Sequence, residues 1–192
     1  METTKPLSGQ TAWITGSSRG LGRVMAEELC RLGATVAVHG TRADSPKTFG
    51  EGESMQQVAD DIAAMTSGKT MPVWGDVTDE SEVGRVATEI REKLGPIDIL
   101  VCCAGGDIGA AGTGVGKGGR PEDDDCLNIA LDDLKSVMDR NLTSAITRPK
   151  PRDEPVIQAI CPESGFVVSM FFVPQSLLAW LNRCCCSASL RS

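Results

Sequence analysis

The chain has 192 residues, a formal net charge of −7 and a sequence pI near 4.8. With 41% hydrophobic and 23% charged residues it has the composition of a globular domain, and its length predicts one domain with a tail. An acidic chain without a long basic run is not expected to bind nucleic acid or an acidic membrane surface. The opening METTKPLSGQ lacks the apolar segment of a secretory signal, so we expect a cytoplasmic protein.

Strands and helices alternate through the first two thirds of the chain. The predicted strands are short, apolar and β-branched, and the predicted helices carry apolar residues at i, i+3, i+4 spacing. In chain order they are strand 11–15, helix 21–32, strand 34–40, helix 55–65, strand 70–75, helix 83–94 and strand 97–103. This alternation predicts an α/β fold, a Rossmann-type doubly wound parallel sheet with helices on both faces.

A glycine-rich segment and a further helix follow the fourth strand. Residues 105–119, GGDIGAAGTGVGKGG, contain eight glycines in fifteen positions and predict a long loop. Two interpretations stay open for it, a functional lid and a disordered surface insertion. A fourth helix is predicted from Leu131, with an inward-facing apolar stripe formed by Leu134, Val137, Met138 and Leu142.

The pattern changes after Ile146. Five of the ten prolines follow it, and no βα rhythm resumes, so the predicted sheet is incomplete after the fourth helix. We therefore divide the chain into a Rossmann-like domain over 1–146 and a divergent tail over 147–192 that is loosely packed or disordered, with one strand fragment, GFVVSM, at 165–170. The apolar run 166–181 is interrupted by Pro174 and is too short for a membrane span.

Cysteine is frequent and histidine is rare. The eight cysteines include no C-x-x-C pair, and His39 is the only histidine, so the sequence predicts no metal site. In a reducing compartment the cysteines are expected to remain thiols. We interpret them as small apolar core residues plus a reactive cluster at 184–186, and we assign His39 no role.

A glycine turn joins the first strand to the first helix. Gly16, Gly20 and Gly22 follow the spacing G-x-x-x-G-x-G, which allows a tight turn and brings backbone N–H groups and a helix N-terminus close to a phosphate. The segment is therefore predicted to contact a nucleotide cofactor. The predicted contact residues are Thr15, Gly16, Ser17, Ser18, Arg19, Gly20, Leu21 and Gly22.

In this strand–turn–helix context, TGSSRGLG resembles the short-chain dehydrogenase/reductase family. Two further segments agree: GDVTD at 75–79 is similar to the family's adenine-contacting segment, and ILVCCAGG at 99–106 stands where the family has Asn-Asn-Ala-Gly. The resemblance covers residues 7 to about 146. It implies an NAD(P)-dependent oxidoreductase that passes a hydride between the nicotinamide and a small-molecule carbonyl or alcohol.

The resemblance also implies roles for individual residues. Asp76 would bind the adenine amino group and Val77 would donate its backbone N–H. Cys103, Ala104 and Gly105 would lie beside the cofactor. Asn141, in VMDRNL, matches the family's helix asparagine and would hold a water of the catalytic proton relay; the alternative is a buried asparagine satisfied by backbone groups.

Two features depart from the family pattern. Cys102 and Cys103 replace both asparagines of the fourth-strand motif, which removes side-chain bonds between neighbouring strands. The family's catalytic tyrosine, with a lysine four residues later and a serine that holds the substrate oxygen, has no counterpart, because the chain contains no tyrosine and no lysine after Lys150.

The end of the second strand predicts the cofactor. NAD-binding members carry an acidic residue there, whereas this chain reads VHGTR, with Arg42 just beyond the strand and Arg19 in the glycine turn. Two arginines without a competing carboxylate favour NADP over NAD. The alternative is that both arginines are solvated surface residues.

Three interpretations of the whole chain remain. The first is an NADP-dependent oxidoreductase of this family with an altered active site. The second is a non-catalytic NADP-binding or interaction protein, and the third is a truncated or misread gene product. A homo-oligomer is compatible with the first two.

Overall fold

The computed structural model describes residues 5–112, 119–123, 125, 127–146, 156–160 and 167–171. Its sheet has the strand order β3-β2-β1-β4-β6-β5. The bounds are β1 Thr11–Thr15, β2 Thr35–Gly40, β3 Lys69–Trp74, β4 Ile99–Cys102, β5 Val156–Ile160 and β6 Val167–Phe171. The first four strands are parallel, whereas β6 pairs antiparallel with β4, and β5 antiparallel with β6.

Two of the helices, α3 and α4, begin at residues whose side chains cap them. Their bounds are α1 Gly20–Arg31, α2 Ser45–Thr48, α3 Met55–Thr66, α4 Glu80–Leu94, α5 Leu131–Met138, a π-helix Asp139–Thr143 and α6 Ser144–Ile146. The Ser54 hydroxyl accepts the Gln57 N–H at the start of α3, and Asp79 accepts the N–H groups of Ser81 and Glu82 at the start of α4. No helix in the described ranges is long and apolar enough to cross a membrane.

Alternate residues of β1 point into two separate cores. Ala12 and Ile14 pack on one face of the sheet with the buried sides of α1 and α3. Trp13 packs on the other face with the buried side of α4. A strand that is apolar on both faces, as TAWIT is, therefore lies between helices on each side, and the predicted doubly wound parallel sheet is confirmed.

Helix α1 differs from its predicted packing. The i, i+3, i+4 spacing predicts Leu21 and Val24 on its apolar face, but both side chains are exposed. The buried residues are instead small or lie further along the helix: Gly22, Ala26, Leu29 and Cys30. A Cβ on Gly22 would collide with the Gly16 carbonyl oxygen, so the helix approaches the turn closely on its small-residue side and turns Leu21 and Val24 outward.

The fourth helix also differs from the expectation of one regular amphipathic helix. Leu134, Met138 and Leu142 are exposed in part, so the predicted stripe does not form a core face, and the helix changes to π geometry at Asp139. Polar contacts of Asn141 hold this region instead. The strand fragment expected at 165–170 is observed as β6, whereas most of the apolar run 166–181 lies outside the described residues, and the division at 146/147 stays a prediction.

Candidate functional site

A cleft opens where β1, β2 and β4 end. The carboxyl ends of parallel strands are the usual place for ligands in open α/β sheets. Its charged lining residues are three arginines, Arg19, Arg42 and Arg140, and no acidic residue is among the described residues that line it. The other lining residues are Gly16, Ser18, His39, Gly40, Thr41, Ser45, Thr48, Phe49, Val77, Cys103, Ala104, Gly105 and Ile108. In a chain of net charge −7, this local excess of positive charge favours an anionic ligand.

The glycine turn forms one wall of this cleft. Gly16 has φ +66°, and a Cβ there would lie 2.6 Å from the Ala104 Cα, so a side chain would displace the loop that follows β4. Gly20 has φ +56°, which glycine adopts without strain. The absence of a side chain at Gly16 therefore lets the turn pack directly against the loop that follows β4.

Thr15 fastens the turn to β4. Its fully buried hydroxyl donates to the Val101 carbonyl oxygen (3.4 Å) and accepts the N–H groups of Cys103 and Ala104, each at 3.1 Å. Cys103, Ala104 and Gly105 are thereby brought to the cleft, as predicted for cofactor-contacting residues. The Thr15 hydroxyl itself bonds to backbone groups of Val101, Cys103 and Ala104.

Ser17 and His39 fasten the turn to β2. The Ser17 N–H donates to the His39 carbonyl oxygen (2.9 Å), and the Ser17 hydroxyl accepts the His39 N–H (2.8 Å). The Gly16 N–H donates to His39 Nδ1 at 3.3 Å. His39 is 2% exposed, and its ring meets the Trp13 ring edge to face at 6.0 Å. The sequence analysis assigned His39 no role. Its position near the end of a predicted buried strand is the signal that could have identified it as a residue that orders the turn.

The two predicted phosphate-binding arginines lie at the same side of the cleft. The Arg19 guanidinium stacks on the Phe49 ring, 3.9 Å from its centroid. Arg42 Nε lies 3.3 Å from Asp44 Oδ1, and its backbone N–H donates to the Ser45 hydroxyl. The residues that flank the short helix α2, Asp44 before it and Phe49 after it, therefore contact the two arginines, and Asp44 is a carboxylate that the sequence analysis did not consider.

The GDVTD segment divides into a buried and a polar part. Val77 is buried and lines the cleft. Asp76 lies outside the lining, and its Oδ1 accepts the N–H and the hydroxyl of Thr78 at 2.9 and 2.7 Å. The remaining predicted cofactor residues that do not line the cleft are Thr15, Ser17, Gly20, Leu21 and Gly22.

The two cysteines of the fourth-strand motif lie in different surroundings. Cys102 is buried in the core beside α4, as expected for a small apolar residue. Cys103 lines the cleft, and burial raises the pKa of its thiol, with a further contribution from Cys102. The thiol of Cys103 is therefore protonated at neutral pH and a weak nucleophile. The described residues contain no cluster of metal-ligating side chains.

Asn141 joins the π-helix to the loop after β4. Its Oδ1 accepts the Gly106 N–H (2.9 Å), while its Nδ2 donates to the carbonyl oxygens of Gly106 and Val137, both at 2.8 Å. Both amide hydrogens are thus used by backbone groups. Its predicted catalytic role in a proton relay stays a prediction, and the structure adds a positioning role for the same side chain.

Known proteins are similar to this chain in sequence. A family model described as short chain dehydrogenase matches residues 10–150. Cyclohexanol dehydrogenase from Rhodococcus sp. (strain TK6) is 32% identical over 149 residues, covering 76% of this chain and 51% of that protein. Hydroxynaphthalene reductase-like protein Arp2 from Metarhizium guizhouense is 34% identical over 107 residues, covering 56% of this chain and 37% of that protein.

A solved structure agrees with these relatives. A short-chain type dehydrogenase/reductase from Mycobacterium marinum superposes with a TM-score of 0.57 at 31% identity, covering 73% of this chain and 47% of that one. The chain thus spans about half or less of the length of these known proteins. The chain matches the family model over residues 10–150 and belongs to the short-chain dehydrogenase family.

Proposed function

We propose that this chain binds NADP(H) in the cleft at the ends of β1, β2 and β4. Family membership gives NAD(P) as the cofactor class. The observation that carries the proposal is the charge of the cleft, which is lined by three arginines and, among the described residues, by no acid. The close packing of Gly16 against Ala104 supports it, because it brings the loop at Cys103–Gly105 and the backbone of the glycine turn together at the cleft.

Arg19 and Arg42 are the proposed ligands of the 2′-phosphate. Arg19 is stacked on Phe49, so part of the entropy of ordering its side chain is already lost before a ligand binds. Arg42 is engaged by Asp44, but the two side chains are 48% and 65% exposed, and exposed ion pairs contribute little. A doubly charged phosphate is therefore expected to displace Asp44 from Arg42.

When bound, the nicotinamide supplies hydride chemistry, and the proposed substrates are small carbonyl compounds or alcohols. The names of the similar reductase and dehydrogenase support that substrate class. Residues of this chain would bind and orient the dinucleotide: the turn at Gly16 and Ser18, and the loop at Cys103–Gly105 that Thr15 and Asn141 hold in place.

A second candidate is NADP binding without turnover. It is favoured by one observation, the lack of any tyrosine in the 192 residues. Cys103, the thiol in the cleft, is kept protonated by burial, and the Asn141 amide cannot donate a proton at neutral pH. The two candidates share the cofactor site and differ only in catalysis.

Calorimetric titration with NADPH and NADH tests the proposed site. Arg42→Leu is expected to reduce NADPH affinity roughly ten- to a hundredfold while leaving NADH affinity nearly unchanged, because one or two charge-assisted bonds of about 1.5–3 kcal/mol each are lost. Arg91→Leu, which removes the same charge from an exposed position on α4, is the matched control. Equal affinity of the unaltered chain for both dinucleotides would contradict the NADP preference.

A further inference from the structure

Arg140 is the one arginine of the cleft that neither the predicted motifs nor the proposed 2′-phosphate site uses. It lies in the π-helix, is half-buried and lines the cleft. Its Nε is shielded from solvent and has no hydrogen-bond partner among the described residues. A buried donor without a partner costs free energy, so its presence calls for a ligand or a compensating contact.

The other two arginines of the cleft have partners. Arg19 stacks on Phe49, and Arg42 pairs with Asp44. Arg140 makes no ion pair with any residue in the part of the chain that the structure describes, and its backbone carbonyl, not its guanidinium, accepts the Ser144 hydroxyl. Its positive charge is therefore available to an anion that enters the cleft.

The backbone beneath Arg140 is held in place. The next residue, Asn141, makes a reciprocal pair of hydrogen bonds with the Gly106 backbone, at 2.9 and 2.8 Å. This pair fixes the π-helix against the loop after β4, whereas Arg42 follows β2 on the other side of the glycine turn. Arg140 and Arg42 therefore flank the turn from opposite sides.

We propose that Arg140 binds a phosphate group of the dinucleotide, and that this group is the pyrophosphate. The inference rests on the proposed function. A guanidinium presents Nε–H and Nη–H as a planar fork that fits two phosphate oxygens. The 2′-phosphate is assigned to Arg19 and Arg42, and the pyrophosphate is the phosphate expected at the glycine turn between the flanking arginines.

Calorimetry on three variants tests this role. Arg140→Leu is expected to weaken NADPH and NADH binding equally, by at least tenfold, since both carry the pyrophosphate. Arg140→Lys should recover part of the affinity, because it keeps the charge without the fork. Arg91→Leu controls for the loss of one positive charge and should leave both affinities within about twofold, as expected for an exposed and screened position. Thermal unfolding of each variant confirms that folded protein is compared.

The two dinucleotides distinguish the phosphates. A loss confined to NADPH would overturn the assignment to the pyrophosphate and move Arg140 to the 2′-phosphate. Unchanged affinity of Arg140→Leu for both dinucleotides would overturn the phosphate role altogether.

A second readout separates this inference from the proposed function. The Nε–Hε resonance of Arg140, identified by its loss in Arg140→Lys, is expected to shift downfield when inorganic pyrophosphate is titrated at constant ionic strength, with sulfate as the control anion. If the chain binds neither dinucleotide, the proposed function fails, while a pyrophosphate-specific shift still supports Arg140 as a phosphate ligand. No shift with pyrophosphate overturns the inference, whatever the dinucleotides do.

Discussion

His39 shows how one side chain can order a binding turn without belonging to the recognised motif. Its Nδ1 accepts the Gly16 N–H, so in the neutral ring the proton is on Nε2. Its backbone makes two further bonds with Ser17. The last part of β2 therefore fixes the position of Gly16, the first glycine of the turn, and glycine adopts the positive φ found there without strain.

We predict that His39→Leu and His39→Asn differ in their effect on the Gly16 amide. His39→Leu removes the acceptor and should lower the free energy of unfolding by about 1–3 kcal/mol, because the Gly16 N–H loses its partner. His39→Asn places an acceptor where Nδ1 stood, so the Gly16 amide should keep its slow hydrogen exchange in this variant and lose it in His39→Leu. Exchange measured by NMR checks this; equal exchange in both variants would show that the ring's packing, and not its acceptor, matters.

At the scale of elements, side-chain hydrogen bonds join the fourth helix to the loop after β4: Asn141 of the π-helix bonds to Gly106, and Asp133 of α5 accepts the Ala110 N–H. Asn141 replaces the apolar packing that the exposed Leu134, Met138 and Leu142 do not provide within the described residues. π-helical turns occur often at functional sites. Here the irregular turn brings both Asn141 to Gly106 and Arg140 to the cleft.

Asn141→Leu is predicted to release this loop. The loss of three hydrogen bonds should reduce stability by about 2–3 kcal/mol, speed exchange of the Gly106 amide and weaken dinucleotide binding. Asn128→Leu removes an exposed asparagine whose side-chain amide, within the described part of the chain, donates to Asp125, and it should leave all three quantities nearly unchanged. Hydrogen exchange followed by mass spectrometry over residues 104–112 makes the comparison. If that segment exchanges alike in both variants, Asn141 does not hold it.

For the whole molecule, binding and catalysis are predicted to separate. The cleft carries the three arginines that we propose bind NADPH, but the 192 residues contain no tyrosine to transfer the proton. Positioned acid–base catalysis contributes about 10²–10⁴-fold, so we expect no sustained NADPH oxidation with aldehydes, ketones or quinones at high protein concentration. The measurement is the decrease of NADPH absorbance.

The control variant for this assay is Gly16→Val. Its Cβ would lie 2.6 Å from the Ala104 Cα, so the variant should lose dinucleotide binding and any turnover that depends on the cleft. Turnover that survives repurification and is lost in Gly16→Val would demonstrate a proton donor other than tyrosine and would refute the prediction.

The sequence by itself determined the parallel sheet and the place of the proposed nucleotide site. Strands such as TAWIT are apolar on both faces, and the glycine spacing has few other uses at the start of a helix. These are local properties, which neighbours along the chain are sufficient to specify. The same reasoning found Arg19 and Arg42, since Arg19 lies in the glycine turn and Arg42 lies just beyond the second predicted strand.

Only the tertiary structure decided which side chains meet across the cleft. The bonds between His39 and Gly16, and between Asn141 and Gly106, join residues separated by 23 and 35 positions, and periodicity carries no information about such pairs. Arg140 was missed for the same reason: a helical pattern predicts a regular turn at 139–143, whereas the π geometry changes which residues share a face. Leu21 and Val24 are exposed because α1 approaches the turn closely. The contact between Gly22 and the Gly16 carbonyl oxygen, and not the apolar stripe, determines which side of α1 faces the core.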